Sequence, residues 1–237
     1  MTKKGKVFIL LLTIACGTGV LHYATGAYMT DTHTVENTLE FVGEEGLKAE
    51  LSEPSWEPEK GLLVVPGRIV QKDPQVTNIS EVDMNGLVAL RVDFVYTDSC
   101  PANRQAGDVL EKEDMERISK VFDIDYNADK VKTARWVRFT GESAACASQC
   151  FYYEETLKRN FPEKGDTTIP LFTRVEVKKE AGNQEIAAVR EIGGVEIRIT
   201  GIVLQQMNGE SYLGLNSAKE AYEAGLFEDL KIQKEEA

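Results

Sequence analysis

Two stretches of this sequence carry apolar residues at alternate positions, and they restrict the chain to a fold built on β-sheet. Residues 88–96 carry valine, leucine, phenylalanine and tyrosine at every second position, with Arg91 and Asp93 on the opposite side. Residues 195–203 repeat the pattern with valine, isoleucine and one glycine. Because successive side chains of a strand point to opposite faces, each stretch is typical of a core strand.

The stretch from residue 64 to 80 reads as a turn, a short strand, a second turn and another strand. Pro66 and Gly67 suit the central positions of a type II turn, where glycine accepts the positive φ that the turn requires. Pro74 has no N–H to donate, so this part of the chain should lie at a sheet edge or at a bulge.

Two helices are predicted. Residues 112–122 carry apolar side chains at helical spacing, and acidic residues lie early in the segment. Ser217 and Glu220 form a capping box, and Gly225 ends the helix that follows. Weaker patterns predict further strands over residues 47–51, 136–140, 150–153, 169–177 and 186–190.

Short strands separated by turns, few helices and no alternation of strand and helix predict an all-β fold, an antiparallel β-sandwich. We expect one domain over residues 28–237. Residues 99–161, with their helix and cysteines, interrupt the strand pattern and are predicted to be an insertion. Residues 228–237 form a charged tail that we expect to fray.

The N-terminus is predicted to be a signal peptide covering residues 1–27. Three lysines precede an apolar run over residues 7–15, which is too short to span a bilayer. The small residues Thr25 and Ala27 lie at −3 and −1 of a cleavage site before Tyr28. The mature protein is then expected to be secreted, without a membrane anchor. Lipid attachment at Cys16 is a competing route.

The composition excludes several kinds of function. A formal net charge of −12 argues against nucleic acid as a partner, because a phosphate backbone needs a basic face. The two histidines are His22, inside the signal peptide, and His33. A metalloprotease would need two histidines facing one metal from a helix, and no such motif occurs. We therefore assign no catalytic residue and no cofactor.

Three cysteines remain after the signal peptide is removed: Cys100, Cys146 and Cys150. An odd number in an exported chain leaves open a disulfide, most simply between Cys100 and one of the other two, or free thiols. Three thiols without a histidine make an incomplete zinc site. Residues 123–129 carry oxygen ligands at alternate positions but lack the glycine and the final glutamate of an EF-hand, so we interpret them as an acidic loop.

Several short motifs gain meaning from their order along the chain. They are Gly26–Thr32 across the cleavage site, Leu47–Trp56, Pro66-Gly67, Lys72-Asp73-Pro74 with Val76-Thr77-Asn78, the 88–94 strand, Phe151-Tyr152-Tyr153 with Leu157, Gly165-Asp166-Thr167-Thr168, Pro170–Val175, Ile197–Gln206 and Ser217–Tyr222. As an ordered set they resemble the camelysin/TasA group of biofilm-matrix proteins, which Firmicutes export with a signal peptidase of the SipW type. The likeness spans nearly the whole mature chain, except residues 99–140.

The resemblance implies a jelly-roll-like sandwich, secretion to the extracellular matrix or cell surface, and assembly of many copies into fibres, with other matrix proteins as further candidate partners. It also implies that the N-terminal segment is donated as a strand to a neighbouring subunit, with Thr34, Val35, Leu39 and Phe41 as candidate strand residues. Camelysins are also described as metalloproteases, so a surface peptidase is an alternative function, although no motif here supports it. A surface adhesin is a further alternative.

Overall fold

The computed structural model describes residues 28–29, 38–42, 47–56, 62–97, 100–143, 145–207, 210–211, 215–227 and 230. The predicted signal peptide, including Ala27, lies outside this part of the chain. No helix in the described residues is long and apolar enough to cross a membrane.

The elements are mostly short strands, which we number in chain order. The strands are β1 (Tyr28–Met29), β2 (Thr38–Val42), β3 (Ala49–Ser52), β4 (Leu62–Leu63), β5 (Ile69–Gln71), β6 (Gln75–Asn78), β7 (Asn85–Tyr96), β8 (Phe122–Ile124), β9 (Trp136–Arg138), β10 (Ser148–Tyr153), β11 (Arg174–Val177), β12 (Val195–Met207) and β13 (Glu210–Ser211). The helices are α1 (Lys112–Val121), α2 (Asn183–Arg190) and α3 (Ala218–Glu223).

A main sheet runs in the order β13-β12-β7-β10-β9, and β2 pairs with β12 along the same edge as β13. Its centre is the long antiparallel pair of β7 and β12, in register from Val195 opposite Tyr96 to Gln206 opposite Asn85. Smaller antiparallel sheets are β5-β11-β8, β3-β6 and β1-β4.

Both faces of the main sheet are covered. On one face, alternate residues of β7 from Val88 to Tyr96 join a large core with the β3-β6 and β5-β11-β8 sheets and with α1 and α2. On the other face, Leu87 and Ala89 join a smaller core with α3, Phe227 and Leu230. The protein is therefore a mainly antiparallel β-sandwich with short helices, which confirms the predicted fold class.

The predicted turn at residues 66–67 is present. Gly67 has a φ of 81°, and the Arg68 N–H donates to the Val65 carbonyl at 3.0 Å, as in a type II turn. Pro74 lies between β5 and β6, outside both strands, and β5 is the edge strand of its sheet. The first turn, the two strands and the edge position are as predicted, whereas residues 72–74 form an irregular connection instead of a second turn.

The two predicted helices are also present. Helix α1 buries Met115, Ile118 and Val121 on one side, as the spacing predicts. At α3, Ser217 Oγ accepts from the Glu220 N–H at 3.2 Å, while the Glu220 carboxylate accepts from the Asn216 N–H at 2.7 Å. Only half of the capping box forms as predicted, because the Glu220 side chain reaches one residue further back.

Two strand predictions are wrong in whole or in part. Residues 186–190 are helical and belong to α2, where Ile186 and Val189 are buried one turn apart. The Gly182 N–H at the start of this helix donates to Glu185 Oε2 at 2.8 Å. Of residues 169–177, only the last four form strand β11, because the Leu171 N–H donates to the Pro74 carbonyl instead of to a sheet ladder.

The region 99–161, predicted to be an insertion, is built into the common core. Strands β9 and β10 belong to the main sheet, and β10 pairs with β7 along five residues from Ser148 opposite Asp93 to Tyr152 opposite Ala89. Helix α1 is tied to the end of β7, since the Tyr96 hydroxyl donates to Asp114 Oδ2 at 2.8 Å. The irregular pattern of this region reflects short elements rather than a separate unit.

Gly165 offers a test of the packing between the segments 76–78 and 165–168. A Cβ at this position would lie 2.0 Å from the Asn78 carbonyl oxygen, so we expect Gly165→Ala to lower the free energy of unfolding by at least about 2 kcal/mol. Gly141→Ala is the control, because a Cβ there meets no atom within 4 Å and only the φ of 87° opposes it, at about 1 kcal/mol. Urea unfolding measures both values. Equal losses would contradict the contact.

Candidate functional site

The predicted donor strand forms the edge of the main sheet. Leu39 lies opposite Gly201 and Phe41 opposite Val203, in a parallel register along β12. Tyr28, the expected first residue of the mature chain, pairs with Leu63 in the β1-β4 sheet. The other two candidate residues of the donor strand, at positions 34 and 35, lie outside the described residues. The described N-terminal strands are thus paired within their own chain.

The segment after β5 is held by a buried ion pair. Lys72 Nζ lies 2.7 Å from Glu53 Oε2, and both side chains are at most 4% exposed. The ammonium also lies 4.9 Å from the centre of the Trp56 ring, within the range of a cation–π contact. Asp73 Oδ1 accepts from the Ser55 N–H at 2.8 Å. The neighbouring residues Lys72 and Asp73 therefore hold the 53–56 loop against the sandwich.

The Asn78 side chain lies at the centre of a second group of buried hydrogen bonds. Its side-chain Nδ2 donates to the carbonyls of Met84 at 2.7 Å and Leu157 at 3.1 Å, and its Oδ1 accepts from the N–H and the hydroxyl of Ser80. Asn78 is 2% exposed. The Asn-Ile-Ser glycosylation motif that it begins is therefore inaccessible in the folded chain.

Two motifs that are far apart in the sequence meet here. The Asn78 N–H donates to the Asp166 carbonyl at 3.0 Å, and the Thr168 N–H donates to the Val76 carbonyl at 2.9 Å. Thr168 Oγ1 accepts from the Val76 N–H at 3.0 Å. Residues 76–78 and 166–168 thus form one hydrogen-bonded network that joins two distant segments. Glu53 and Trp56 contact Lys72 instead, in a separate cluster.

A further buried ion pair lies on the second face of the main sheet. Arg91 Nε lies 2.6 Å from Asp93 Oδ2, and each side chain is 5% exposed. Arg91 Nη1 donates to the Leu230 carbonyl at 2.6 Å. Two charges buried this deeply need such hydrogen bonds to offset their loss of hydration. The hydrogen bond from Arg91 therefore attaches the chain at Leu230 to the central strand β7.

All three cysteines are free thiols in this structure. Cys100 and Cys146 are half-buried, and Cys150 lies on β10 with 1% exposure. Burial raises the pKa of the Cys150 thiol, and the nearby Glu142 and Asp93 carboxylates raise it further. A thiol is reactive as its thiolate, so Cys150 is an inert packing residue.

The acidic run 123–129 uses its oxygens within the chain. The Asp125 carboxylate accepts from the Thr173 N–H at 2.9 Å, the Thr173 hydroxyl at 2.7 Å and the Arg174 N–H at 3.0 Å. Asp129 pairs with Arg138 at 2.7 Å. Across the described residues, no group of three or more His, Cys, Asp or Glu side chains is placed to hold a metal ion. His33 lies outside them.

A cavity of about 210 Å³ lies beneath α1. It is lined by Phe94, Met115, Ile118, Ser119, Phe122, Asp123, Ile124, Tyr126, Ala145 and Lys178. The Lys178 ammonium donates to the Ser119 carbonyl at 2.7 Å. The lining contains neither histidine nor cysteine, the usual general base and nucleophile, and we assign no reaction to it.

No protein-family model matches the chain, and neither does any curated protein or any solved structure. The fold defines a mainly antiparallel β-sandwich with short helices. In the described residues, the polar clusters detailed above act to hold segments together, and the N-terminal strand β2 lies along a sheet edge.

The buried Lys72–Glu53 pair yields a stability prediction. We expect Lys72→Met to lower the free energy of unfolding by about 3 kcal/mol, because it leaves a buried carboxylate without its ammonium. The double variant Lys72→Met/Glu53→Leu should recover most of this loss. Urea unfolding of the wild type and of both variants, together with Glu53→Leu alone, gives the coupling energy. Additive losses would contradict a direct pair.

Asp125 predicts a dependence of stability on pH. Burial alone would raise the pKa of its carboxyl, but hydrogen bonds from Thr173 and Arg174 and the charge of Lys130 hold that pKa below its usual value. A carboxyl whose pKa is lowered by folding adds stability above its unfolded pKa of about 3.9, and this is lost as the pH falls through the folded pKa.

We therefore expect Asp125→Asn to be less stable than the wild type at pH 7, with a difference that shrinks as the pH falls below about 4. Urea unfolding across this pH range measures it. Asp123→Asn, an exposed aspartate on β8, is the control and should leave the profile unchanged. A pH-independent loss in Asp125→Asn would show that the carboxylate charge is not involved.

Proposed function

We propose that the chain is a secreted structural protein of the extracellular matrix, which assembles into fibres when each subunit donates its N-terminal segment to a neighbour. The observation that carries the proposal is the position of β2. It pairs with β12 at the edge of the main sheet, in the one parallel register among strands that otherwise pair antiparallel in the described chain.

An edge strand of this kind can be exchanged between copies. The pairing of β2 with Thr200–Leu204 is made through main-chain groups, so the same segment of a second copy can form it in trans. Exchange of an identical element conserves the contacts of the monomer and so needs little additional free energy. If each copy donates to the next one instead of returning the exchange, the chain of subunits stays open and grows into a fibre.

Export fits the same proposal. A signal peptidase of the SipW type would cut after Ala27 and free the segment that begins at Tyr28, whereas an uncleaved signal would tether it to the membrane. Cleavage would thereby license assembly outside the cell, in the matrix or at the cell surface, where other matrix proteins could join. The resemblance to the camelysin/TasA group supports this order of events. No observation on the described residues favours the peptidase or adhesin alternatives.

We expect the mature protein, beginning at Tyr28, to form filaments, and the same protein without residues 28–38 to stay a folded monomer. The deletion removes the part of the donor segment that precedes most of β2, so the strand cannot reach a neighbour. Light scattering and electron microscopy measure assembly, and circular dichroism checks the fold.

A mature protein without residues 231–237 is the control, since it loses a charged segment of seven residues from the other end and should still assemble. Equal filament yield from the form lacking residues 28–38 would exclude donation by this segment. Monomers from every form across a wide concentration range would count against the fibre function itself.

A further inference from the structure

Strand β5 has an open edge. Its partner β11 lies on one side, and no strand of the described chain pairs with the other side. The Val177 N–H donates to the Arg68 carbonyl at 2.8 Å and the Lys72 N–H to the Thr173 carbonyl at 3.2 Å. Because hydrogen-bonded positions alternate along an antiparallel pair, Ile69 and Gln71 turn their main-chain groups outward.

The outward groups of β5 lie in an exposed and partly apolar surface. Ile69 is 42% exposed and Val65, at the preceding turn, is 54% exposed. Gln71 is exposed as well. No described residue hydrogen-bonds to the main-chain N–H or C=O of Ile69 or Gln71. Unpaired main-chain groups beside exposed apolar side chains are a template for an added strand.

The β9 edge of the main sheet is capped by a side chain, unlike the β5 edge. At β9, the Asn127 side-chain oxygen accepts from the N–H groups of Arg135 at 2.8 Å and Trp136 at 3.2 Å. The short turn that carries Asn127 thereby satisfies donors that an added strand would need. Natural sheets commonly cover their edges in this way.

The charge at the β5 edge indicates what kind of strand it would accept. Arg68 is exposed at the start of the strand, and the Lys179 side chain runs along the turn, with its Cγ 3.4 Å from where a Cβ on Gly67 would lie. Neither cation forms an ion pair within the described chain. Glu176, opposite Ile69, is engaged by Arg174 at 3.8 Å. The edge is thus locally basic in a chain of net charge −12.

We propose that the open edge of β5 binds an extended, acidic segment of a different protein by β-augmentation. Main-chain hydrogen bonds to Ile69 and Gln71 would hold the segment, Val65 and Ile69 would contact its apolar side chains, and Arg68 and Lys179 would select for carboxylates. The chain's own strands β1 and β2 already pair with β4 and β12, so the segment comes from elsewhere. Fibre assembly is not required for this binding.

Fluorescence anisotropy with a labelled octapeptide of alternating valine and glutamate tests the proposal on the mature protein. We expect saturable binding that weakens as salt is raised. A peptide with lysine in place of glutamate should not bind measurably. The glutamate peptide with methylated amides on its pairing side should bind at least about tenfold more weakly, because it loses several main-chain hydrogen bonds.

Two variants test the edge itself. Ile69→Pro removes an outward N–H that makes no hydrogen bond within the described chain, and Lys179→Gln removes a cation. Each should weaken binding about three- to tenfold. Their matched controls are Val131→Pro and Lys132→Gln, at exposed positions of a surface turn, and these should bind as the wild type does. Circular dichroism and thermal unfolding confirm that each variant is folded.

Several results would overturn the proposal. If the methylated peptide, or single-stranded DNA of equal charge, bound as tightly as the glutamate peptide, the edge would be a general anion site. Unchanged binding by both edge variants would place the peptide elsewhere. Tighter binding of a peptide of residues 28–42 than of the acidic probe would make a second copy the occupant. Failure of the mature protein to form filaments would leave the proposal intact, since binding of the peptide at the β5 edge does not require assembly.

Discussion

The structure depends on the long pairing of β7 with β12. Strand β7 is buried on both faces, and β12 is buried on one face and half-buried at Glu196, Arg198 and Thr200 on the other. The smaller sheets with α1 and α2 cover the first face, while α3, Phe227 and Leu230 cover part of the second. The second face of β7 also buries Arg91 and Asp93. Their ion pair at 2.6 Å and the hydrogen bond from Arg91 to the Leu230 carbonyl offset the loss of hydration of the two buried charges. The hydrogen bond also attaches Leu230, which lies 139 positions further along the chain than Arg91, to the centre of the sheet.

Alternation in the sequence was sufficient to predict β7 and β12, because a period of two is unambiguous over nine residues or more. It could not show what lies over Arg91 and Asp93, since the partner of Arg91 comes from the far end of the chain. Residues 186–190 were predicted as strand because a short apolar run does not separate strand from helix by periodicity alone. Glu185, three residues after Gly182, was the local signal for a helix start.

The motifs of the candidate site were visible in the sequence, whereas their role was not. Lys72, Asn78 and Gly165 were identified through their order, and the structure places them in contacts that depend on both charge and volume: a buried pair with Glu53, four hydrogen bonds at one amide, and a glycine that leaves no room for a Cβ. Such contacts join segments far apart in the chain, so no local pattern reveals them. The odd number of cysteines likewise left open whether two of them form a disulfide or all remain thiols, and all three are thiols in the structure.

The sheet edges connect this packing to assembly. The chain caps two main-chain N–H groups at the start of β9 with a single side chain, Asn127, and covers part of the β12 edge with its own strand β2. A side-chain cap belongs permanently to its own subunit, whereas a strand held by main-chain groups can be replaced by an identical strand from a neighbour at little cost in contacts. Because the same hydrogen bonds form in either case, local concentration rather than bond strength would decide between monomer and fibre. Under the proposed assembly, an edge closed by a segment near the N-terminus is therefore a place in the described chain where removal of a leader peptide would control assembly without altering the core.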